Sequence, residues 1–174
     1  YANAWNNKGV AFGNIGKNDE ALTCFDEAIK QNPELAPAWL GKGGILGYQE
    51  QVDEAMECYE KAVELDPKLA GAWLGKGGIL GYQEKDEEAL TCFDEALKLN
   101  PDLSEAWSHK ALVLRFLERD EEALKCYDEV IRLLPDDAVS WYQKGTTLEK
   151  LGRNEESAEC IAKAKELNPD IAEM

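Results

Sequence analysis

The sequence predicts an all-α fold, a right-handed α-solenoid of stacked helix-turn-helix repeats. Three residue types recur every 34 residues through the 174-residue chain, which indicates an internal repeat. Within each period, apolar residues recur at helical spacing on both sides of a short polar turn. The recurring residues are Trp5, Trp39, Trp73, Trp107 and Trp141; Pro33, Pro67, Pro101, Pro135 and Pro169; and Cys24, Cys58, Cys92, Cys126 and Cys160.

Each period contains two predicted helices. In the second period the first apolar stripe runs from Trp39 to Leu46, and the second runs from Ala55 to Val63. Proline ends the second helix because it cannot continue one. The expected N-caps of the second helices are Asn18, Asp86, Asp120 and Asn154.

The predicted organisation is a single domain over residues 1–174. Its repeats span 2–35, 36–69, 70–103, 104–137 and 138–171, and residues 172–174 start a truncated further helix. Because one helix pair cannot bury its own apolar face, each pair is expected to stack on its neighbours.

These positions resemble the tetratricopeptide repeat (TPR) family over essentially the whole chain. The small residue four positions after tryptophan is Gly9, Gly43, Gly77, Ala111 or Gly145, and the second-helix aromatic is Phe25, Tyr59, Phe93 or Tyr127, with Ile161 departing. The resemblance implies a TPR superhelix with a concave protein-binding groove. The small residues and the aromatics are predicted to form its core.

Composition narrows the partner class. The formal net charge of −16 opposes binding to nucleic acid and to anionic membranes. A basic or amphipathic protein or peptide suits this charge, although surface acid also serves solubility. No apolar run is long enough to span a bilayer, and no signal peptide precedes the repeats. The chain begins with Tyr1 rather than Met, which favours a processed or excised piece.

The cysteines are predicted to be structural. Neighbouring repeats are about 10 Å apart, too far for a disulfide or a shared metal ion. Each cysteine precedes the residue at the second-helix aromatic position, where it acts as a small hydrophobe. An odd number of free thiols indicates a cytoplasmic location. No metal site and no cofactor are expected.

Catalysis is not expected from this sequence. The single histidine, His109, follows Ser108 on a helix, where adjacent side chains point about 100° apart and form no nucleophile–base pair. The segment Gly41 to Gly44 lacks the strand and the spacing of a phosphate loop.

The resemblance also implies which side chains line the groove. The candidate partner-binding residues are Asn6, Asn14, Leu40, Gly44, Tyr48, Leu74, Gly78, Tyr82, Leu112, Arg115, Phe116 and Tyr142. Pro37, Gly41, Gly71 and Gly75 occupy positions where chaperone-binding members carry a carboxylate clamp, so heat-shock chaperone tails are not the expected ligand. An apolar or amphipathic helix laid in the groove fits better.

Residues 38–50 and 72–84 are identical and carry four glycines each, which cost about 1 kcal/mol apiece in a helix relative to alanine. Two explanations stay open: Gly44, Gly47, Gly78 and Gly81 clear the groove for a partner, or a duplication left weak helices that stacking tolerates.

Two functions follow from the sequence. The first is a non-catalytic scaffold that binds a partner protein through the groove. The alternative is self-assembly through uncapped terminal repeats, because the last helix pair is expected to leave its flank near Ile161 and Ala164 partly uncovered.

Overall fold

The computed structural model describes residues 1–171 of the chain. Within that range it has ten α-helices and no strand, which confirms the predicted all-α repeat fold. The helices are α1 Ala2–Asn14, α2 Asn18–Gln31, α3 Ala36–Tyr48, α4 Val52–Leu65, α5 Ala70–Tyr82, α6 Asp86–Leu99, α7 Ser104–Phe116, α8 Asp120–Leu133, α9 Ala138–Lys150 and α10 Asn154–Leu167. The predicted helix start at 172–174 lies outside the described residues. None of these ten helices is long and apolar enough to cross a membrane.

Backbone contacts divide the chain into unit 1, residues 1–99, and unit 2, which begins at residue 100. In unit 1, α1 pairs with α2, α3 with α4 and α5 with α6; α3 also contacts both α1 and α5. In unit 2, α7 pairs with α8 and α9 with α10, and α8 packs on α9. No comparable contact joins α7 to α9 in this described part of the chain. The single-domain organisation and its repeat boundaries stay a prediction.

An aromatic ring on the second helix fills the space between α1 and α2, and another fills the space between α5 and α6. Phe25 in α2 is 2% exposed, and a Cβ at Gly9 in α1 would lie 2.8 Å from its ring. In the same way, a Cβ at Gly77 in α5 would lie 2.7 Å from Phe93 in α6. Such distances leave no room for a side chain, so glycine lets the paired helices approach. The predicted core roles of these positions are confirmed.

A hydrogen bond links the recurring tryptophan to the recurring proline that precedes it by six residues. Trp39 Nε1 donates to the carbonyl of Pro33 at 2.8 Å. The equivalent bonds, each 2.9 Å long, run from Trp73 to Pro67, from Trp107 to Pro101 and from Trp141 to Pro135. Because the proline lies in the turn before the first helix, the half-buried indole fixes that turn as well as filling space.

Backbone hydrogen bonds close the turn inside each helix pair. One residue of each turn has a positive φ angle: Gly16, Glu50, Glu84, Glu118 or Gly152. The N–H of the next residue bonds to a carbonyl five residues earlier, as from Lys85 to Leu80 at 2.9 Å. This is the Schellman arrangement, in which a left-handed residue ends a helix.

The prediction of N-capping side chains is wrong. Asn18, Asp86, Asp120 and Asn154 are the first helical residues of α2, α6, α8 and α10. The N-cap residues of α2, α8 and α10 are instead Lys17, Arg119 and Arg153, and none of these three makes a side-chain cap bond. The acids that follow in the first turn still interact favourably with the helix dipole.

All five cysteines are free and buried, as a structural role requires. Burial raises the pKa of the Cys58 thiol to about 11, and it also raises the pKa of Cys92 and Cys160. A thiol that stays protonated is a poor nucleophile and a poor metal ligand. These cysteines therefore contribute apolar volume to the second helices.

The flank of the last helix pair is less open than expected. Ala164 is fully buried, so the expectation is wrong at this position, while Ile161 is half-buried. Ile171 is also buried. Of the two flank residues of α10, only Ile161 therefore leaves apolar surface for stacking between chains.

We expect Glu84→Gly to raise the free energy of unfolding by about 0.5–1 kcal/mol, because glycine adopts a positive φ without the steric cost of a Cβ atom. Urea denaturation followed by circular dichroism measures the change. The matched control is Glu57→Gly, in the interior of α4, which should lower the free energy by about 1 kcal/mol. A destabilised Glu84→Gly variant would contradict backbone strain at this turn.

Candidate functional site

Unit 1 presents two exposed tyrosines on its first helices. Tyr48 ends α3 and is 80% exposed, and Tyr82 ends α5 and is 71% exposed. Gly44 and Gly78 lie one helical turn before them. A Cβ at Gly78 would meet no atom within 4 Å, and one at Gly44 would meet only the Tyr59 hydroxyl oxygen at 4.0 Å. The exposed rings therefore stand beside bare helix backbone.

Other glycines in the duplicated segments have a packing role. A Cβ at Gly41 would overlap the ring of Phe25, and a Cβ at Gly75 would overlap the ring of Tyr59. Each ring comes from the second helix of the preceding repeat. Gly41 and Gly75 thus admit a neighbouring ring, whereas Gly44 and Gly78 leave the surface open. The choice between a cleared groove and a duplication stays open for Gly44 and Gly78. The ring contacts also explain why clamp donors are absent at Gly41 and Gly75.

The remaining predicted residues of unit 1 are less prominent. Leu40 is half-buried and packs against the core cluster around Tyr59 and Ile79. Leu74 is half-buried as well. In α1, Asn6 is half-buried and Asn14 is exposed, about two helical turns apart. The strongest candidate contacts in this unit are therefore the tyrosines and their glycine neighbours.

Unit 2 contains two adjoining pockets that share Leu112 of α7. The first, of about 330 Å³, is lined by Ser108, His109, Leu112, Tyr127, Asp137, Val139, Ser140 and Gln143. The second, of about 260 Å³, is lined by Leu112, Arg115, Phe116 and Lys150. Phe116 is 73% exposed, and Leu112 is 45% exposed. The pockets lie between the first helices α7 and α9, which pack less closely than the first helices of unit 1 do.

Two departures from the repeat pattern accompany this space. Gln143 occupies the position of Gly41 and Gly75, where Asn7 and His109 stand in the first and fourth repeats, and it lines the first pocket together with Tyr127. Asp137 occupies the linker position that carries Leu35, Leu69, Leu103 or Ile171 elsewhere. Its carboxylate caps α9, accepting hydrogen bonds from the Ser140 N–H at 3.1 Å and from the Ser140 hydroxyl. A capping carboxylate turned toward its own helix does not fill the space that a leucine would fill.

The polar groups of the second pocket are unevenly paired. Lys150 Nζ lies 2.8 Å from Oδ2 of the buried Asp120. The Arg115 guanidinium donates to Gln143 Oε1 and also hydrogen-bonds the Tyr127 side chain. Burial raises the pKa of the Tyr127 phenol, and Arg115 partly opposes that rise. The hydroxyl therefore stays protonated at neutral pH, so Arg115 has neutral partners here.

The described side chains form no recognisable catalytic arrangement. The Ser108 hydroxyl donates to the backbone carbonyl of Ser104 at 3.1 Å, and His109 Nε2 lies 3.8 Å from a Glu105 oxygen. Serine and histidine are thus turned to different partners. Residues 1–171 contain no group of three or more His, Cys, Asp or Glu side chains that could hold a metal ion.

Three of the predicted groove residues, Leu112, Arg115 and Phe116, line these pockets together. Tyr142 is half-buried on α9 and lines neither pocket. Sequence reasoning did not include Gln143 or Val139, which complete the first pocket from α9. The polar residue at position 137, where the equivalent residues are Leu35, Leu69, Leu103 and Ile171, is the sequence signal that could have indicated the pocket.

Comparison with known proteins identifies the fold. Residues 1–174 match the family of the cilia and flagella-associated protein 70 C-terminal domain, a TPR family. No curated protein matches the sequence significantly.

Several solved structures are similar over nearly the whole chain. MamA is 22% identical with a TM-score of 0.82, covering 95% of this chain and 97% of that chain. YrrB, described as a TPR protein with an unusual peptide-binding site, is 25% identical with a TM-score of 0.78, covering 98% and 88%. PilF of Pseudomonas aeruginosa is 21% identical with a TM-score of 0.84, covering 94% and 76%. These likenesses confirm the predicted TPR solenoid.

We expect Gly78→Ala to raise the free energy of unfolding by about 1 kcal/mol, because the space is open and alanine favours a helix. Gly75→Ala, on the same helix, should lower it by about 1–3 kcal/mol, because the new Cβ overlaps the Tyr59 ring. Urea denaturation of the two variants tests the assignment. Changes of the same sign would contradict the distinction between an open and a packed glycine.

Proposed function

The chain belongs to the TPR family of the cilia and flagella-associated protein 70 C-terminal domain, and we propose that it is a scaffold whose first-helix face binds an amphipathic helix of a partner protein. TPR proteins generally act as protein-interaction scaffolds rather than catalysts. The observation that carries the proposal is the pair of adjoining pockets in unit 2, lined by exposed apolar side chains of the predicted groove.

The spacing of the site suits a helical ligand. Ser108, Leu112 and Phe116 are four residues apart and follow one face of α7. A partner helix presents its own apolar side chains at intervals of three and four residues, so consecutive turns can enter adjoining pockets. YrrB is described as having a peptide-binding site, which supports a peptide ligand for a chain of this fold.

The tyrosines of unit 1 extend the same pattern. Tyr48, Tyr82 and Phe116 occupy one position of the 34-residue repeat, and each is more than 70% exposed. Large aromatic side chains with so much exposed apolar surface are common at binding sites. The open backbone at Gly44 and Gly78 gives a partner room to approach the tyrosines. We propose that these tyrosines form a binding surface of unit 1 in their own right.

The partner class follows from charge. The net charge of −16 disfavours nucleic acid and anionic membranes, so we propose a protein or peptide ligand. The buried free thiols favour the reducing cytoplasm as the location.

We expect Phe116→Ala to weaken binding of a helical peptide about tenfold or more, because buried aromatic anchors dominate interface energies. The peptide is selected on the immobilised chain from a displayed library of random helical sequences, and fluorescence anisotropy gives its Kd. Circular dichroism checks that the variants stay helical.

The matched controls are Ile15→Ala and Leu134→Ala, exposed apolar residues outside the proposed site, which should leave the Kd unchanged. The proposal is contradicted if no helical binder is selected, or if Phe116→Ala binds the peptide as well as the controls do.

Self-assembly stays the second candidate, favoured by exposed apolar side chains in the first repeat. Ile15 is 67% exposed and Val10 is 45% exposed. A second copy of the chain would cover this surface in an assembly.

Self-assembly predicts a mass in light scattering that rises above 19.4 kDa with concentration. Ile15→Glu should then return the chain to a monomer, because a buried charge opposes the contact. A constant mass of one chain at every concentration would eliminate this candidate.

A further inference from the structure

Arg115 differs from the other arginines of the chain in its partners. The sequence has four arginines, and three of them lie within 3 Å of a glutamate oxygen. These pairs are Arg119–Glu122 at 2.7 Å, Arg132–Glu129 at 2.8 Å and Arg153–Glu156 at 2.6 Å. Among the described residues Arg115 forms no such ion pair, and its hydrogen-bond partners are the neutral side chains of Gln143 and Tyr127.

The missing counter-ion is unexpected in this chain. Asp and Glu number 35 against 19 Lys and Arg, so most cations have an acid within reach. Arg115 is also half-buried, and a cation removed from water is stabilised by a carboxylate more than by neutral groups. Its position in the repeat is glycine in repeats 1, 2 and 3, at Gly13, Gly47 and Gly81. The guanidinium of Arg115 is therefore a positive charge that repeats 1, 2 and 3 lack at this position.

Lys150 does not change this balance. Its ammonium group already lies 2.8 Å from the buried carboxylate of Asp120. The remaining residues that line the pocket, Leu112 and Phe116, are uncharged. The unneutralised charge of the pocket is thus that of the Arg115 guanidinium, beside apolar side chains and a lysine that is already paired.

We propose that this pocket binds an acidic side chain on an amphipathic helix of the partner, with the Asp or Glu carboxylate paired to Arg115. The inference rests on the proposed function and names the chemistry of its ligand. A guanidinium has five N–H donors, so Arg115 can receive a carboxylate while it keeps its bonds to Gln143 and Tyr127. This ligand differs from the basic partner that the overall charge favours.

The geometry also sets the spacing in the partner. Leu112 belongs to both pockets, and Arg115 lies about one helical turn further along α7. A large apolar side chain of the partner occupies the first pocket, over Leu112 and Val139. An acid three or four residues away on the partner helix then lies beside the guanidinium.

The test uses synthetic helical peptides with an acetylated N-terminus and an amidated C-terminus, built on the sequence selected against the wild-type chain. One series carries Glu three or four residues from the apolar anchor, and the matched series carries Gln there. Fluorescence anisotropy gives the Kd of each peptide for the wild-type chain and for Arg115→Gln. We expect the Glu peptide to bind the wild-type chain about tenfold more tightly than the Gln peptide, and this preference to vanish in Arg115→Gln.

Two further variants separate charge from folding. Arg115→Lys should restore part of the preference for Glu, whereas Arg132→Gln, which removes an arginine outside the pocket, should leave the full preference. Equal binding of the Glu and Gln peptides to the wild-type chain would overturn the inference. So would a preference that survives in Arg115→Gln, or tight binding only of peptides with a free C-terminal carboxylate. If peptides bind through Phe116 but show no preference for Glu over Gln, only the inference about Arg115 is wrong. If no helical binder can be selected, the proposed function is wrong as well.

Discussion

One contact recurs through unit 1 and organises it: the second-helix ring packs on glycine backbone from two first helices. Phe25 meets Gly9 of its own repeat and Gly41 of the next, and Tyr59 meets Gly43 and Gly75 in the same way. A single ring thereby joins the two helices of one repeat to the repeat that follows. Because close packing fails when a side chain intrudes, this contact fixes which first-helix positions must be glycine.

The candidate site of unit 2 lies where this contact is interrupted. Gln143 replaces the glycine that would receive the ring of Tyr127, and the tyrosine hydroxyl bonds Arg115 instead. In the described part of unit 2, α7 and α9 pack less closely than α3 does with α1 and α5. Gln143 also supplies the acceptor for a hydrogen bond from the Arg115 guanidinium.

The sequence predicted the fold well, because the 34-residue period reports packing that every repeat shares. It showed tryptophan and proline in phase, but the indole-to-carbonyl bond that connects them needed coordinates. The N-caps were assigned to the wrong residues, since Asn18, Asp120 and Asn154 are already helical and the preceding Lys17, Arg119 and Arg153 make no side-chain cap bond. Leu112, Arg115 and Phe116 could be placed by register alone. The pocket could not be placed by register, because it depends on how the side chains of α7, α8 and α9 pack in space.

The one-cysteine-per-repeat arrangement has a practical consequence. Each thiol is buried, and several are held protonated by that burial, so an alkylating reagent reaches a cysteine only after its own helix pair opens. Repeats that contact chiefly their neighbours are expected to open in segments rather than all at once. The rates at which Cys24, Cys58, Cys92, Cys126 and Cys160 become modified would therefore give the order in which the array frays. The wild-type chain carries its own set of local unfolding probes.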